Sequence, residues 1–135
     1  MTVPTRPRAP FGQPPTTMRL IRIAILGGAL LFGVVTWWLR RASPPPMPAE
    51  LGPLRFAGYG LWVAVLVLLA FMRGLYGKAV DDVRRATTII IAWAAAESLA
   101  LFGGVVWFLH GDSRWYAAGM CFMLATFILF PLTRE

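Results

Sequence analysis

The apolar residues of this chain fall in four long unbroken blocks, at 23–39, 56–72, 87–109 and 115–132. Within each block they run on without the period-2 alternation of a membrane barrel strand. They also lack the polar face of a helix lying on a soluble core. A hydrocarbon layer about 30 Å thick needs about 20 helical residues to cross it, with a range of roughly 17–25. All four blocks fall in that range, the first two at its short end. Lipid offers the backbone no hydrogen bonds, so blocks of this kind select helices. The expected fold is all-α, an integral membrane bundle of four transmembrane helices. The helices are expected at about residues 20–40, 54–76, 86–109 and 114–132, in a domain covering 18–135.

The polar segments between the blocks divide the chain further. Residues 1–17 carry Pro4, Pro7, Pro10, Pro14 and Pro15 with no periodic apolar pattern, and read as an extended, basic tail that needs a partner for order. The run Ser43-Pro44-Pro45-Pro46-Met47-Pro48 reads as a stiff polyproline-like spacer. Asp81 and Asp82 precede Arg84 and Arg85 at helical spacing, which predicts that the third helix extends beyond its apolar block. The segment 110–114 is short, so the third and fourth helices should form an antiparallel hairpin. Arg19 and Arg22 before the first block imitate a signal peptide. Its end, Trp37-Trp38-Leu39-Arg40-Arg41, has no small-x-small cleavage pattern and reads as a retained helix.

Composition agrees with a membrane protein: 58% hydrophobic and 14% charged residues, against roughly 25% charged in soluble domains. The net charge of +7 does not imply nucleic-acid binding, because the cations flank the apolar blocks instead of forming one soluble basic face. Anionic lipid head groups are the partners that such flanks attract. Arg6, Arg8, Arg19, Arg22, Arg73, Lys78, Arg84, Arg85 and Arg134 fall on one side; Arg40, Arg41, Arg55 and Arg114 fall on the other. The positive-inside rule then places both termini in the cytoplasm of a multi-pass bacterial inner-membrane protein. Arg40 and Arg41 dissent from it. Cys121 is the only cysteine and lies inside the fourth block, so no intrachain disulfide forms.

Small residues mark helix contacts in lipid, where backbones must approach closely. Ala92, Ala96, Ala100 and Gly104 recur every four residues on the third helix; Ala117, Cys121 and Ala125 do so on the fourth. These stripes are expected to face one another. The first helix offers Ala24, Gly28, Ala29 and Gly33, while the second is bulky at its centre and reads as facing lipid or a partner. Trp37, Trp38, Trp62, Trp107 and Trp115 are expected to anchor the helix ends at the head-group level.

One residue carries candidate chemistry. Glu97 lies at the centre of the third block, where an ionisable side chain costs on the order of 2.5–3.5 kcal/mol on insertion scales. It is read first as a buried structural carboxyl bonded to a neighbouring helix, with Thr36, Thr126, a backbone carbonyl or another subunit as partner. Proton or cation binding is the alternative. The stretch Ala94-Ala95-Ala96-Glu97-Ser98-Leu99-Ala100-Leu101-Phe102-Gly103 resembles the carboxylate helix of rotary ATP synthase proteolipid subunits. In that family a Glu among small residues precedes an aromatic-Gly pair, and the resemblance implies that Glu97 is a proton site. It covers one helix; the preceding helix here is bulky where that family has glycine. The chain as a whole resembles the small four-helix membrane proteins common in GC-rich bacterial genomes, which implies a fold and no chemistry.

His110 is the single histidine, at the outer end of the third helix beside Gly111 and Asp112. One histidine cannot make a two-histidine haem site, and single-histidine ligation of a haem or other tetrapyrrole is set against a solvated interfacial residue. Bound lipid is the expected small-molecule companion. No metal site, cysteine pair, Ser-His-Asp set or phosphate loop is evident, so no enzyme and no soluble substrate are expected. The expected function is an accessory subunit packed among larger membrane subunits of an energy-converting complex, respiratory or photosynthetic. The alternative is a small ion-coupled transporter or channel component that uses Glu97.

Overall fold

A computed structural model describes residues 15–43, 51–79 and 81–131. The tail residues 1–14 and the proline spacer 44–50 lie outside the described residues. Four helices follow one another: α1 (Pro15–Ala42), α2 (Leu51–Lys78), α3 (Asp82–His110) and α4 (Arg114–Leu129). Among the described residues there is no strand. α1, α2 and α3 are each long and apolar enough to cross a membrane.

α1 starts earlier than its apolar block. Pro15 occupies its first turn, where a missing N–H and a fixed φ cost nothing. α3 likewise starts at Asp82, and Arg84 sits 3.9 Å from Asp81 on the solvent side. α4 is shorter than its block. It has 16 residues, about 24 Å at 1.5 Å per residue, and does not reach span length. The expected end at residue 132 is corrected to Leu129 because Pro131 follows. The residue before a proline is disfavoured in the α region, and Phe130 accordingly leaves the helix at φ −119°, ψ 72°.

The α3–α4 turn is tight for local reasons. Gly111 takes the left-handed conformation at φ 81° and donates its N–H to Trp107 O at 2.8 Å, closing α3. Asp112 then accepts the backbone N–H of Arg114 at 3.0 Å, opening α4. The 16 residues of α4 run back antiparallel along the second half of the 29-residue α3.

α3 is the hub on which α1, α2 and α4 all pack. α1 turns Met18, Ala29, Gly33 and Thr36 inward, and α2 turns in Gly58, Val65, Leu69, Met72 and Tyr76. The core gathers around Trp93, Leu99, Met123, Phe127 and Phe130, with the Trp93 and Phe127 rings meeting edge to face at 5.2 Å. Ala92, Ala96, Ala100 and Gly104 of α3 are all buried. The companion stripe on α4 is corrected: Ala117, Cys121 and Ala125 are exposed. Gly119, Met123, Thr126 and Phe127 face inward instead. The reason is steric. Gly119 lies against the Ala100 backbone so closely that a β-carbon there would stand 2.6 Å from Ala100 Cα, and this one contact sets the rotation of α4.

The hub is not enclosed. Thr87, Ile91, Ala94 and Val105 are exposed along one stripe of α3. At 100° per residue this stripe falls between the face that meets α1 and the face that meets α2. α1 and α2 therefore flank an open strip of α3, with α4 behind it.

Candidate functional site

Glu97 sits near the midpoint of α3 on the edge facing α1, half-buried. Its Oε1 lies over Gly28, 3.6 Å from where a β-carbon on that glycine would stand. Gly28 is itself exposed, so the carboxyl occupies an open seam and not the core. Neither in-chain partner expected from the sequence reaches it. Thr126 donates to Phe122 O of its own helix at 2.9 Å, and Thr36 is buried two turns further along α1 than Gly28. The neighbouring hydroxyl of Ser98 donates to Ala95 O at 2.7 Å. Among the described residues no side chain donates a hydrogen bond to Glu97, and no cluster of acids, His or Cys could hold a metal ion with it.

The same seam holds a polar contact that the sequence did not reveal. Tyr116 of α4 reaches across to donate its hydroxyl to Ala29 O on α1 at 2.8 Å. In a helix that carbonyl already accepts from the residue four positions on, Gly33. Any β-carbon at Gly33 would collide with the Tyr116 phenol. Gly33 is thus a socket for a side chain, and the same holds for Gly104, whose missing β-carbon makes room for Phe32.

Arginines close the helix ends. Arg40 at the end of α1 donates to Trp107 O at 3.0 Å and to Phe108 O, two of the last carbonyls of α3. Arg73 near the end of α2 donates to Leu129 O of α4, and Tyr76 beside it donates to Pro131 O at 3.3 Å. The last carbonyls of any helix lack intrahelical partners, and near lipid no water is at hand to replace them. A guanidinium also complements the negative end of the helix dipole. Each parallel pair, α1 with α3 and α2 with α4, is tied in this way. The only advance signal was Arg40 itself, a cation on the side opposite most of the others, which breaks the charge bias.

The tryptophans divide into three situations. Trp37 and Trp38 are exposed at the end of α1, with the Arg41 guanidinium 4.0 Å from the Trp37 ring centroid. Trp107 and Trp115 are part-buried between helices, Trp107 against Tyr116 at 5.5 Å and Trp115 against Tyr59 at 5.5 Å. Trp62 corrects its expected role as an end anchor. It lies near the midpoint of α2, edge to face with Phe122 at 5.1 Å, and fills the gap between α2 and α4.

His110 ends α3 with both ring nitrogens packed away from the surface and no hydrogen-bond partner for either. An axial ligand must present a ring nitrogen to the open face of a macrocycle. As packed, His110 presents neither ring nitrogen at the surface. No protein-family model matches the chain, and comparison with curated proteins and with solved structures gives no match.

Proposed function

We propose that this chain is an accessory, structural subunit of a larger bacterial inner-membrane complex, with respiratory and photosynthetic energy conversion as the favoured hosts. The observation that carries this reading is Glu97 at an open seam beside Gly28, without a side-chain donor among the described residues. A carboxyl in the hydrocarbon layer needs a partner. Gly28 lets the backbone of another helix approach to the depth of that carboxyl, as small residues do at membrane helix contacts. A helix of a larger subunit seated on the α1–α3 seam would supply the missing donor. The open strip of α3 and the broad apolar faces of α1 and α2 suit such docking. Both termini are assigned to the cytoplasm, with the basic tail held there. Arg40, bonded to neutral carbonyls of α3, keeps its charge and still dissents from the charge bias.

The second reading is ion handling, favoured by the same unbonded carboxyl. Tagged purification from native membranes in mild detergent separates the two. Larger subunits in fixed proportion are expected with the native chain, and Glu97→Leu should release them while Glu97→Gln, which keeps a hydrogen-bonding group, should not. A Glu97→Gln complex that assembles but loses proton-coupled activity would instead favour ion handling. The chain eluting alone, as a monomer or homo-oligomer, would overturn the accessory-subunit reading, and a proton-flux assay in liposomes would then decide for the second.

A further inference from the structure

The open strip of α3 ends, at the Asp82 side, in a furrow of about 440 Å³ between α2 and α3. Its mouth carries Lys78, Arg84 and the carboxylate of Asp81, and its floor runs down Leu75, Met72, Thr87 and Ile91. The hydroxyls of Thr87 and Thr88 are turned back to Val83 O and Arg84 O, at 2.9 and 2.8 Å. They are therefore spent on the helix backbone, and the floor is apolar in effect. Arg84 is 3.9 Å from Asp81, with both side chains largely exposed; such a pair holds weakly and leaves the guanidinium open to a second anion. From Arg84 to Ile91 the furrow descends about 10 Å at 1.5 Å per residue, and beyond Ile91 the small, exposed Ala94 continues it along the strip.

We propose that this furrow binds one anionic phospholipid, its phosphate between Lys78 and Arg84 and one acyl chain laid along Ile91 and Ala94. Two cations against the one carboxylate of Asp81 leave the mouth net positive above an apolar floor, which matches a phosphate above a hydrocarbon chain. The planar fork of Arg84 suits phosphate oxygens bidentately, and Lys78 adds a point charge. The floor distinguishes a lipid from free phosphate, which would gain nothing below the mouth. The cations distinguish an anionic lipid from a zwitterionic one, and each is expected to carry about a fivefold preference. The head-group end stands apart from the Glu97 seam, while the acyl chain shares the open strip of α3 with the helix proposed to dock there.

The test is native mass spectrometry of the full chain, stripped of lipid in mild detergent and titrated with palmitoyl-oleoyl phosphatidylglycerol or phosphatidylcholine. One phosphatidylglycerol per chain is expected, bound at least tenfold more tightly than phosphatidylcholine. Lys78→Gln with Arg84→Gln should bring the two lipids level. Ile91→Trp, which fills the floor, should weaken both, and Arg55→Gln at the far end of α2 should change neither. Equal binding of the two lipids by the native chain overturns the proposal, as does a double variant that keeps the preference. So does displacement by glycerophosphoglycerol, which has no acyl chain, at the concentration of the lipid. A photoreactive residue at position 91 that captures a polypeptide in native membranes, in place of a lipid, would show that a protein occupies the furrow and would also overturn it.

Discussion

The seam between α3 and α4 and the seam between α1 and the hairpin both depend on glycine, but in opposite ways. At the first, backbone meets backbone. A β-carbon on Gly103 would stand 2.5 Å from the Trp115 carbonyl carbon, and one on Gly119 would stand 2.6 Å from Ala100 Cα. At the second, each glycine faces a side chain: Gly33 the Tyr116 phenol, Gly104 the Phe32 ring, Gly28 the Glu97 carboxyl. Side chains can rotate away; a helix backbone can move only as a body. The α3–α4 seam is therefore the rigid part of the fold. The α1 seam can yield, and it is where the carboxyl and the open strip are found.

The sharpest way to break this comparison is to add one methyl on each side of it. Gly119→Ala should cost about 2–3 kcal/mol, because overpacking against backbone exceeds the helix-propensity gain of alanine. Gly28→Ala in the α1 seam, where a β-carbon would stand in ordinary contact 3.6 Å from Glu97 Oε1, should instead stabilise by about 0.5–1 kcal/mol. Reversible unfolding of both variants in mixed micelles measures the difference, and equal effects would abolish the distinction between the seams.

The arginine ties should rank next. Arg40→Ala leaves the Phe108 carbonyl without its side-chain donor and the Trp107 carbonyl with only the Gly111 N–H, and should cost about 1.5–3 kcal/mol, the range for a hydrogen bond to a charged group. Arg40→Lys should recover most of it, since one guanidinium nitrogen, Nη1, donates to both carbonyls and a single ammonium carries donors enough to do the same. Amide exchange confined to the last turn of α3 would locate the loss. Tyr116→Phe removes one hydroxyl from Ala29 O and should cost about 0.6–1.7 kcal/mol, the span found for such bonds between membrane helices. Unfolding in the same micelles, read against Gly33→Ala, checks this. If Gly33 is a socket, its variant should lose the Tyr116 bond as well, and the double variant should cost less than the sum of the two.

Helix number and approximate bounds were legible because lipid imposes them through length and apolar continuity alone. The hairpin turn was legible too, from its shortness. What was not legible is rotation about each helix axis. In a block apolar on every side, no periodicity says which face is inside, so the choice rested on small residues at even spacing. That rule found buried positions on α3, where four small residues coincide with a packed face. It failed on α4, where the contact is set by Gly119 with the large Met123 and Phe127. Glu97 was conspicuous as a charge, but its direction toward Gly28 follows from how α1 sits on α3, which no local pattern encodes. Arg40 and Arg73 were counted as interfacial charge. Their use as caps depends on parallel helices ending side by side, a tertiary fact.

The smallest expected effect tests that failure directly. Cys121 and Ala125 were placed in the α3–α4 seam by spacing and lie on the exposed face in the fold. Cys121 is about half a turn, and Ala125 about a third of a turn, from the face that Gly119 presents to Ala100, at about 100° per residue. If spacing were right, Cys121→Leu would force a branched side chain between two backbones and cost as much as Gly119→Ala. With α4 rotated as it is, the leucine meets lipid or detergent, as Leu124 and Ile128 beside it already do. The change in stability should then stay within about 0.5 kcal/mol. A large loss at Cys121 with none at Gly119 would turn α4 by half a revolution, and would move Tyr116 away from Ala29 with it.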